Sequence, residues 1–396
     1  MANASRKGIP SESITFCALT ALTIQTVVLA NWGTHYYLLR QSTGPLLGWD
    51  FVVFWSAARV TLEHGAAMVF SPTVLHEMEA AVGHFREIGP WAYPPTFLLA
   101  LIPFGLFSFA TAFGLFSAAG LAVYAVALRR AVRGLDPPYM LFAAGFSGVG
   151  VALAAGQNSL LTTAAAAGAT LLLDSNPILA GTCVAALAIK PQLAVLFPLA
   201  LACGRKWKAL AASAAWALAF ATVATAILGA DAWTVFAAHL PSFNQRFVEH
   251  GSTHWAAMPT VFAAARLAGA SVPAAYVAQA LIGVPAAAAV AYLWLCDARF
   301  ELRVSALALG TLLVQPYLMY YDLAWLSLPI VMLLHDAKTV ELSRIEWILV
   351  GATWLVPAQA FIAVGFDFPC HIATVVMIAL LVAVVRRHLA VRRRCG

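Results

Sequence analysis

Long stretches of this chain carry no charged side chain, and that pattern constrains the fold more than any other feature. Ile14–Leu39, Trp91–Leu128 and Pro137–Leu173 contain no Asp, Glu, Lys or Arg. A helix needs about 20 consecutive apolar residues to cross the hydrocarbon core of a bilayer, so each run is long enough for at least one crossing. Only 10% of the residues are charged, against roughly 25% in soluble domains, which excludes an ordinary soluble globule. The 26 Gly and 20 Pro are scattered and the 6 Cys dispersed, so collagen-like, disordered and disulfide-scaffold classes are excluded as well.

Distributing helices over the apolar runs gives an all-α polytopic bundle of about 12 transmembrane helices, with residues 1–396 forming a single integral membrane domain. Ile14–Leu39 supplies the first span; Arg6 and Lys7 before an apolar run raise a cleavable signal peptide as the alternative, but the run is too long for one and is expected to stay as an uncleaved anchor. Trp91–Leu128 crosses once, its surplus forming a shallow entry broken at Tyr93-Pro94-Pro95. Pro137–Leu173 reads as a hairpin turning at Gly156-Gln157-Asn158, and Ser175–Gly204 as a second one turning near Lys190-Pro191. Further spans are expected near 209–228, 272–296, 304–316, 323–334, 347–363 and 371–385.

This topology puts both termini in the cytoplasm and leaves outer loops at about 40–91 and 229–258. Of the 23 Lys and Arg, only Arg40, Arg59, Arg86, Arg246 and Arg266 fall outside and Lys190 falls within the membrane; the rest lie inside, as the positive-inside rule requires. The net charge of +6 therefore reports membrane orientation, and the basic tail 386–396 reads as a cytoplasmic stop touching anionic lipid, with no nucleic-acid partner. Cys370 is alone on the outer side, so neither a disulfide nor a cysteine metal pair is implied.

Polar residues at membrane depth are costly and mark function. Asp50, Tyr93, Gln157, Asn158, Lys190, Tyr320, Tyr321 and Asp322 all fall toward the extracytoplasmic side, and the outer loops add His64, His76, His84, His239, His250, His254, Arg246 and Glu249. Within the first loop, Phe51–Leu62 has apolar residues at helical spacing. A second amphipathic segment, Pro72–Phe85, has Leu75, Met78, Val82 and Phe85 on one side, with Glu77, Glu79 and His84 elsewhere. Both are expected to lie on the membrane surface.

A span leading to an acidic residue and then two surface helices resembles the glycosyltransferase C superfamily. Asp50-Phe51 with Trp55, Tyr93-Pro94-Pro95, Gly156-Gln157-Asn158, Lys190-Pro191 and Gln315-Pro316-Tyr317 leading to Tyr321-Asp322 resemble glycosyltransferase family 87. Those enzymes are the polyprenyl-phosphate-mannose-dependent α-1,2-mannosyltransferases and their relatives. The chain departs from some of them in carrying Tyr320, Tyr321 and Asp322 where an aromatic and histidines follow the late proline.

The resemblance implies an inverting transfer of a sugar, mannose expected, from a polyprenyl phosphate to a lipid or glycan acceptor, at the outer face of a bacterial inner membrane. It casts Asp50 as the catalytic base. From the residues alone, Asp50 serves equally as the N-cap of the following helix. Lys190 and Arg246 are the candidate contacts for the donor phosphate, against the alternatives of a lysine snorkelling to the interface and a solvated loop arginine. Tyr93, Gln157, Asn158, His254, Tyr320, Tyr321 and Asp322 are the candidate substrate contacts. Gln157 and Asn158 serve equally to close a hairpin, Tyr93 to sit in the interfacial belt, and His254 to be passive.

No metal or other cofactor is called for. His76-Glu77 lacks a second histidine because Ala80 stands in its place, and Gly148-Val149-Gly150 lies in an apolar run without the context of a nucleotide site. A transporter or lipid flippase is the main rival, although no internal repeat accompanies the polar cluster. A noncatalytic assembly subunit would leave that cluster without a purpose.

Overall fold

The computed structural model describes residues 10–40, 46–83, 89, 91–359 and 371–395, with backbone alone for 391–395. Arg6, Lys7, His84, Phe85, Arg86 and Cys370 lie outside the described residues. Among those described, the regular structure is helical throughout, with no strand. Six helices are long and apolar enough to cross a membrane: Ser11–Leu38, Phe109–Ala131, Pro137–Ala155, Trp207–Leu228, Val272–Leu295 and Ile372–Ala390.

The remaining apolar runs are broken into shorter helices, and the cause is in their sequence. Helix α1 (Ser11–Gly33) continues as a π-helical turn to Leu38. The run after Tyr93 starts α4 (Pro95–Leu101) at a proline in the first helical position. It then breaks at Ile102–Leu106, which contains Pro103, before α5 (Phe109–Ala131). The first expected hairpin is present: α6 (Pro137–Ala144) and α7 (Ser147–Ala155) turn at Gly156 into α8 (Ser159–Leu171). At 13 residues α8 spans roughly 20 Å, short of the ~30 Å core. The second hairpin pairs α9 (Pro177–Ala186) with α10 (Phe197–Cys203) through two short 3-10 turns flanking Lys190. Non-helical backbone of this kind needs partners from within the protein. Thr96 Oγ1 donates to the carbonyl of Ala188 at 2.6 Å, and Gln315 Nε2 to that of Gln192 at 2.7 Å.

Both amphipathic helices of the first loop form. In α2 (Phe51–His64) the apolar face packs into protein, with Phe51, Val52, Phe54, Ala57, Ala58 and Val60 buried. Its rings join Trp91, Phe97, Phe113 and Phe116 in an aromatic core. Helix α3 (Pro72–Ala80) is shorter than expected. The segment 229–258 is mostly helical: α12 (Asp231–Phe243), a π-helical stretch Asn244–Glu249 and α13 (Ser252–Trp255) follow α11 (Trp207–Leu228).

After α14 (Val261–Leu267) and α15 (Val272–Leu295), helices α16 (Phe300–Leu313) and α17 (Ser327–Asp336) are buried almost throughout and form the centre of the main core. The chain ends in α18 (Arg344–Leu355) and α19 (Ile372–Cys395). The basic tail is therefore helical, and its Arg387 is buried. That guanidinium pairs with Asp336 Oδ2 at 2.6 Å and Glu346 Oε2 at 3.0 Å, which corrects the lipid contact expected of it.

Candidate active site

Two glycines decide where Asp50 stands. Gly48 (φ +85°) and Gly156 (φ +72°) both adopt the left-handed conformation that side chains disfavour. At Gly156 a Cβ would lie 2.7 Å from Phe51 Cβ and 3.1 Å from Gly48 Cα, so only glycine permits this approach. The segment before α2 thereby lies along the end of α7, where Gly48 N–H donates to Ala154 O at 2.8 Å and Asp50 N–H to Ala155 O at 3.0 Å. Asp50 comes to rest beside the hairpin tip at Gln157.

The carboxylate of Asp50 does not cap α2: it occupies the N-cap position, yet its side chain makes no capping bond. Its Oδ2 instead accepts from Gln157 Nε2 at 3.1 Å. Gln157 Oε1 in turn accepts from Tyr93 Oη at 3.3 Å and from the Asn158 backbone N–H at 3.3 Å. The glutamine thus joins base candidate and phenol in one chain of hydrogen bonds. Burial pushes the Asp50 carboxyl up to about 7; the Gln157 bond and the Lys190 ammonium offset part of that rise, and the Asp322 carboxylate adds to it. A carboxylate poised there suits general-base work near neutral pH.

These groups face a cavity of about 260 Å³, whose wall includes Asp50, Tyr93, Gln157, Lys190, His254 and Tyr321. Its size approaches the range of small-molecule sites, roughly 300–1,000 Å³. A neighbouring cavity of about 110 Å³ shares Gly89, Phe243 and Phe247 with it.

Lys190 neither snorkels nor stands free. It is 3% exposed, its Nζ donates to Asp322 Oδ1 at 2.6 Å, and it lies over the Tyr321 ring with 5.0 Å to the centroid. Asp322 also accepts from Ser159 Oγ at 3.1 Å and from the Met319 backbone N–H at 3.4 Å. The two costly charges satisfy each other. Asp322 serves this pair and is not part of the cavity wall.

Three other candidates are placed elsewhere. Tyr320 is buried outside that wall, donating to Ala256 O at 3.0 Å and accepting from Gln359 Nε2 at 3.2 Å. Its ring ties the late connection to the rest of the fold. Arg246 is exposed and lines the neighbouring cavity with His239 and Ser242. Asn158 is wholly buried behind the hairpin tip, its side-chain oxygen and nitrogen both without a hydrogen-bond partner, and it is absent from the cavity wall. His254 does reach the cavity, standing edge-on to Phe247 with its Nδ1 3.1 Å from Thr253 Oγ1.

The wall also holds Glu79, Gln192 and Tyr317, none of them a site candidate from the sequence, although Tyr317 stands in the Gln315-Pro316-Tyr317 motif. Glu79 is set off the apolar side of its helix by the apolar pattern of the segment. It stands four residues after the buried Leu75, however, and i,i+4 positions share a face. Among the described residues, no group of three or more His, Cys, Asp or Glu is placed to hold a metal.

The model of glycosyltransferase family 87 matches residues 91–316. Neither curated proteins nor solved structures yielded a match.

Proposed function

The chain belongs to glycosyltransferase family 87, and on that premise we propose that it transfers a sugar, mannose in the first instance, from a polyprenyl phosphate to a hydroxyl of a lipid- or glycan-linked acceptor. The observation that carries this reading is a carboxylate, Asp50, hydrogen-bonded by Gln157 in the wall of a polar cavity that the Lys190 ammonium also lines.

Asp50 takes the proton of the acceptor hydroxyl as its oxygen attacks the anomeric carbon. The bond from that carbon to the donor phosphate breaks, and the phosphate departs with the electron pair. One displacement inverts the configuration. The departing anion needs positive charge nearby. Lys190 gives one hydrogen bond to Asp322 and has further N–H groups for a ligand oxygen; Arg246 in the adjoining cavity is the second cation. Tyr93, Gln157, His254 and Tyr321 are the sugar contacts, and stacking on Tyr321 suits the apolar face of a sugar ring. The chemistry calls for no metal.

The chain is read as a multi-pass protein of a bacterial inner membrane. Its termini are cytoplasmic, its cavity opens outside, and its short buried helices complete a bundle of about 12 crossings of the glycosyltransferase C type. The positive-inside distribution of Lys and Arg supports this orientation. The transporter reading is not favoured, since family membership and a one-sided polar cavity both point to transfer.

The test is an assay of purified protein with radiolabelled polyprenyl-phosphate sugars, mannose and other hexoses in parallel, in the presence of EDTA. Turnover with one donor by the wild type, lowered about a hundredfold or more in Asp50→Asn, supports the reading. Equal turnover by both removes it.

A further inference from the structure

We propose that Glu79 is a second substrate carboxyl of the cavity, binding a hydroxyl of the acceptor saccharide beside the one that Asp50 activates. The proposal rests on the transferase reading and adds to it a named acceptor contact. Glu79 is 1% exposed, though it belongs to a helix of the outer segment, and it lines the same cavity as Asp50. Its Oε2 accepts from the Gly89 backbone N–H at 3.2 Å. Its Oε1 is buried with no hydrogen-bond partner, and the nearest histidine nitrogen, His76 Nδ1, is 3.9 Å from Oε2, beyond hydrogen-bond reach. A buried carboxyl oxygen without a donor is disfavoured unless something supplies one.

The chemistry of the surroundings narrows the donor to a neutral hydroxyl, because a phosphate at this position would be repelled by a carboxylate. In a single displacement the phosphate departs on the side opposite the oxygen that Asp50 activates, and the hydroxyl held by Glu79 is assigned to the acceptor. Glu79 also marks the join of the two cavities, because its partner Gly89 lines both. A Cβ at position 89 would stand 2.2 Å from Val53 Cγ2 and 3.0 Å from Glu79 Oε1, so glycine is what brings this backbone against the carboxyl. Burial pushes the Glu79 carboxyl up to about 7, the Gly89 hydrogen bond offsetting part of the rise. Near neutral pH it therefore both donates to and accepts from a hydroxyl.

The experiment measures transfer from polyprenyl-phosphate mannose to octyl α-mannoside and to its 3-, 4- and 6-deoxy analogues, with wild type, Glu79→Gln and Glu79→Ala. Glutamine keeps an oxygen for Gly89, so the melting temperature of Glu79→Gln should match the wild type while that of Glu79→Ala falls. In Glu79→Gln the KM for octyl mannoside should rise about tenfold with kcat within about twofold, the signature of lost binding. One deoxy analogue should be a poor acceptor for the wild type and no worse for the variant, which identifies the hydroxyl held. Unchanged KM and unchanged discrimination among the analogues, with an active wild type, would overturn the role of Glu79 alone. A wild type inactive with every donor sugar would overturn the transferase reading, and this proposal with it.

Discussion

Gln157 Nε2 donates to Asp50 Oδ2 at 3.1 Å across 107 residues of sequence. The same carboxamide accepts from Tyr93 through its oxygen, so its orientation is set from both ends and the carboxylate is aimed by it. A base held by a single neutral donor keeps its basicity better than one in a salt bridge. The fold places its strong ion pair one step away, at Lys190 and Asp322.

Asp50→Asn should lower the transfer rate by about 10²- to 10⁴-fold, the usual contribution of a general base. Asparagine is nearly isosteric, so donor binding should persist. Single-turnover transfer, with equilibrium binding of the polyprenyl-phosphate sugar measured alongside, checks both halves of the expectation.

Because burial holds Asp50 at about 7, kcat/KM should fall tenfold per pH unit below that value, where the base is protonated. Gln157→Leu removes a hydrogen bond that favours the charged form, so the inflection should move to higher pH. Stability runs the opposite way. A carboxyl with a raised folded-state pKa contributes stability at low pH that is lost as pH rises toward 7. Asp50→Asn should therefore melt higher than the wild type at pH 8, by a margin that shrinks toward pH 5. A pH–rate profile flat between 5.5 and 8 would contradict the assignment.

Lys190→Met and Asp322→Leu should each destabilise the protein by about 3–5 kcal/mol, since each leaves a buried charge without its partner. The double variant should recover most of that loss while remaining poorly active, because Lys190 lines the cavity and Asp322 does not. Thermal unfolding in detergent and the transfer assay separate the two effects.

Gly156→Ala should cost on the order of 2–4 kcal/mol, from a left-handed backbone and a collision with Phe51. Any relaxation would push Asp50 away from Gln157. Activity should consequently fall further than the melting temperature alone explains.

Much of this architecture is legible along the chain. The helix breaks at Tyr93-Pro94-Pro95, Gly156 and Lys190-Pro191 fall where proline, glycine and polar residues interrupt apolar runs. The amphipathic pattern of α2 reported a real buried face but not what covers it: the rings of Trp91, Phe97 and Phe116 fill the place assigned to lipid. In α3 the acidic Glu79 shares the buried face of Leu75, which the apolar pattern of Leu75, Met78 and Val82 does not report.

Hydropathy, charge and turn chemistry act over neighbouring residues, so they sufficed to establish an all-helical membrane chain, its hairpin tips and a short roster of polar candidates. Packing alone sorted that roster. It joined Asp50 to Gln157 and Tyr93, matched Lys190 with Asp322, and turned Tyr320 and Asn158 away from the cavity. These outcomes depend on where helices distant in sequence cross. A hydrogen bond is made or lost over about an ångström, a distance that no linear pattern encodes.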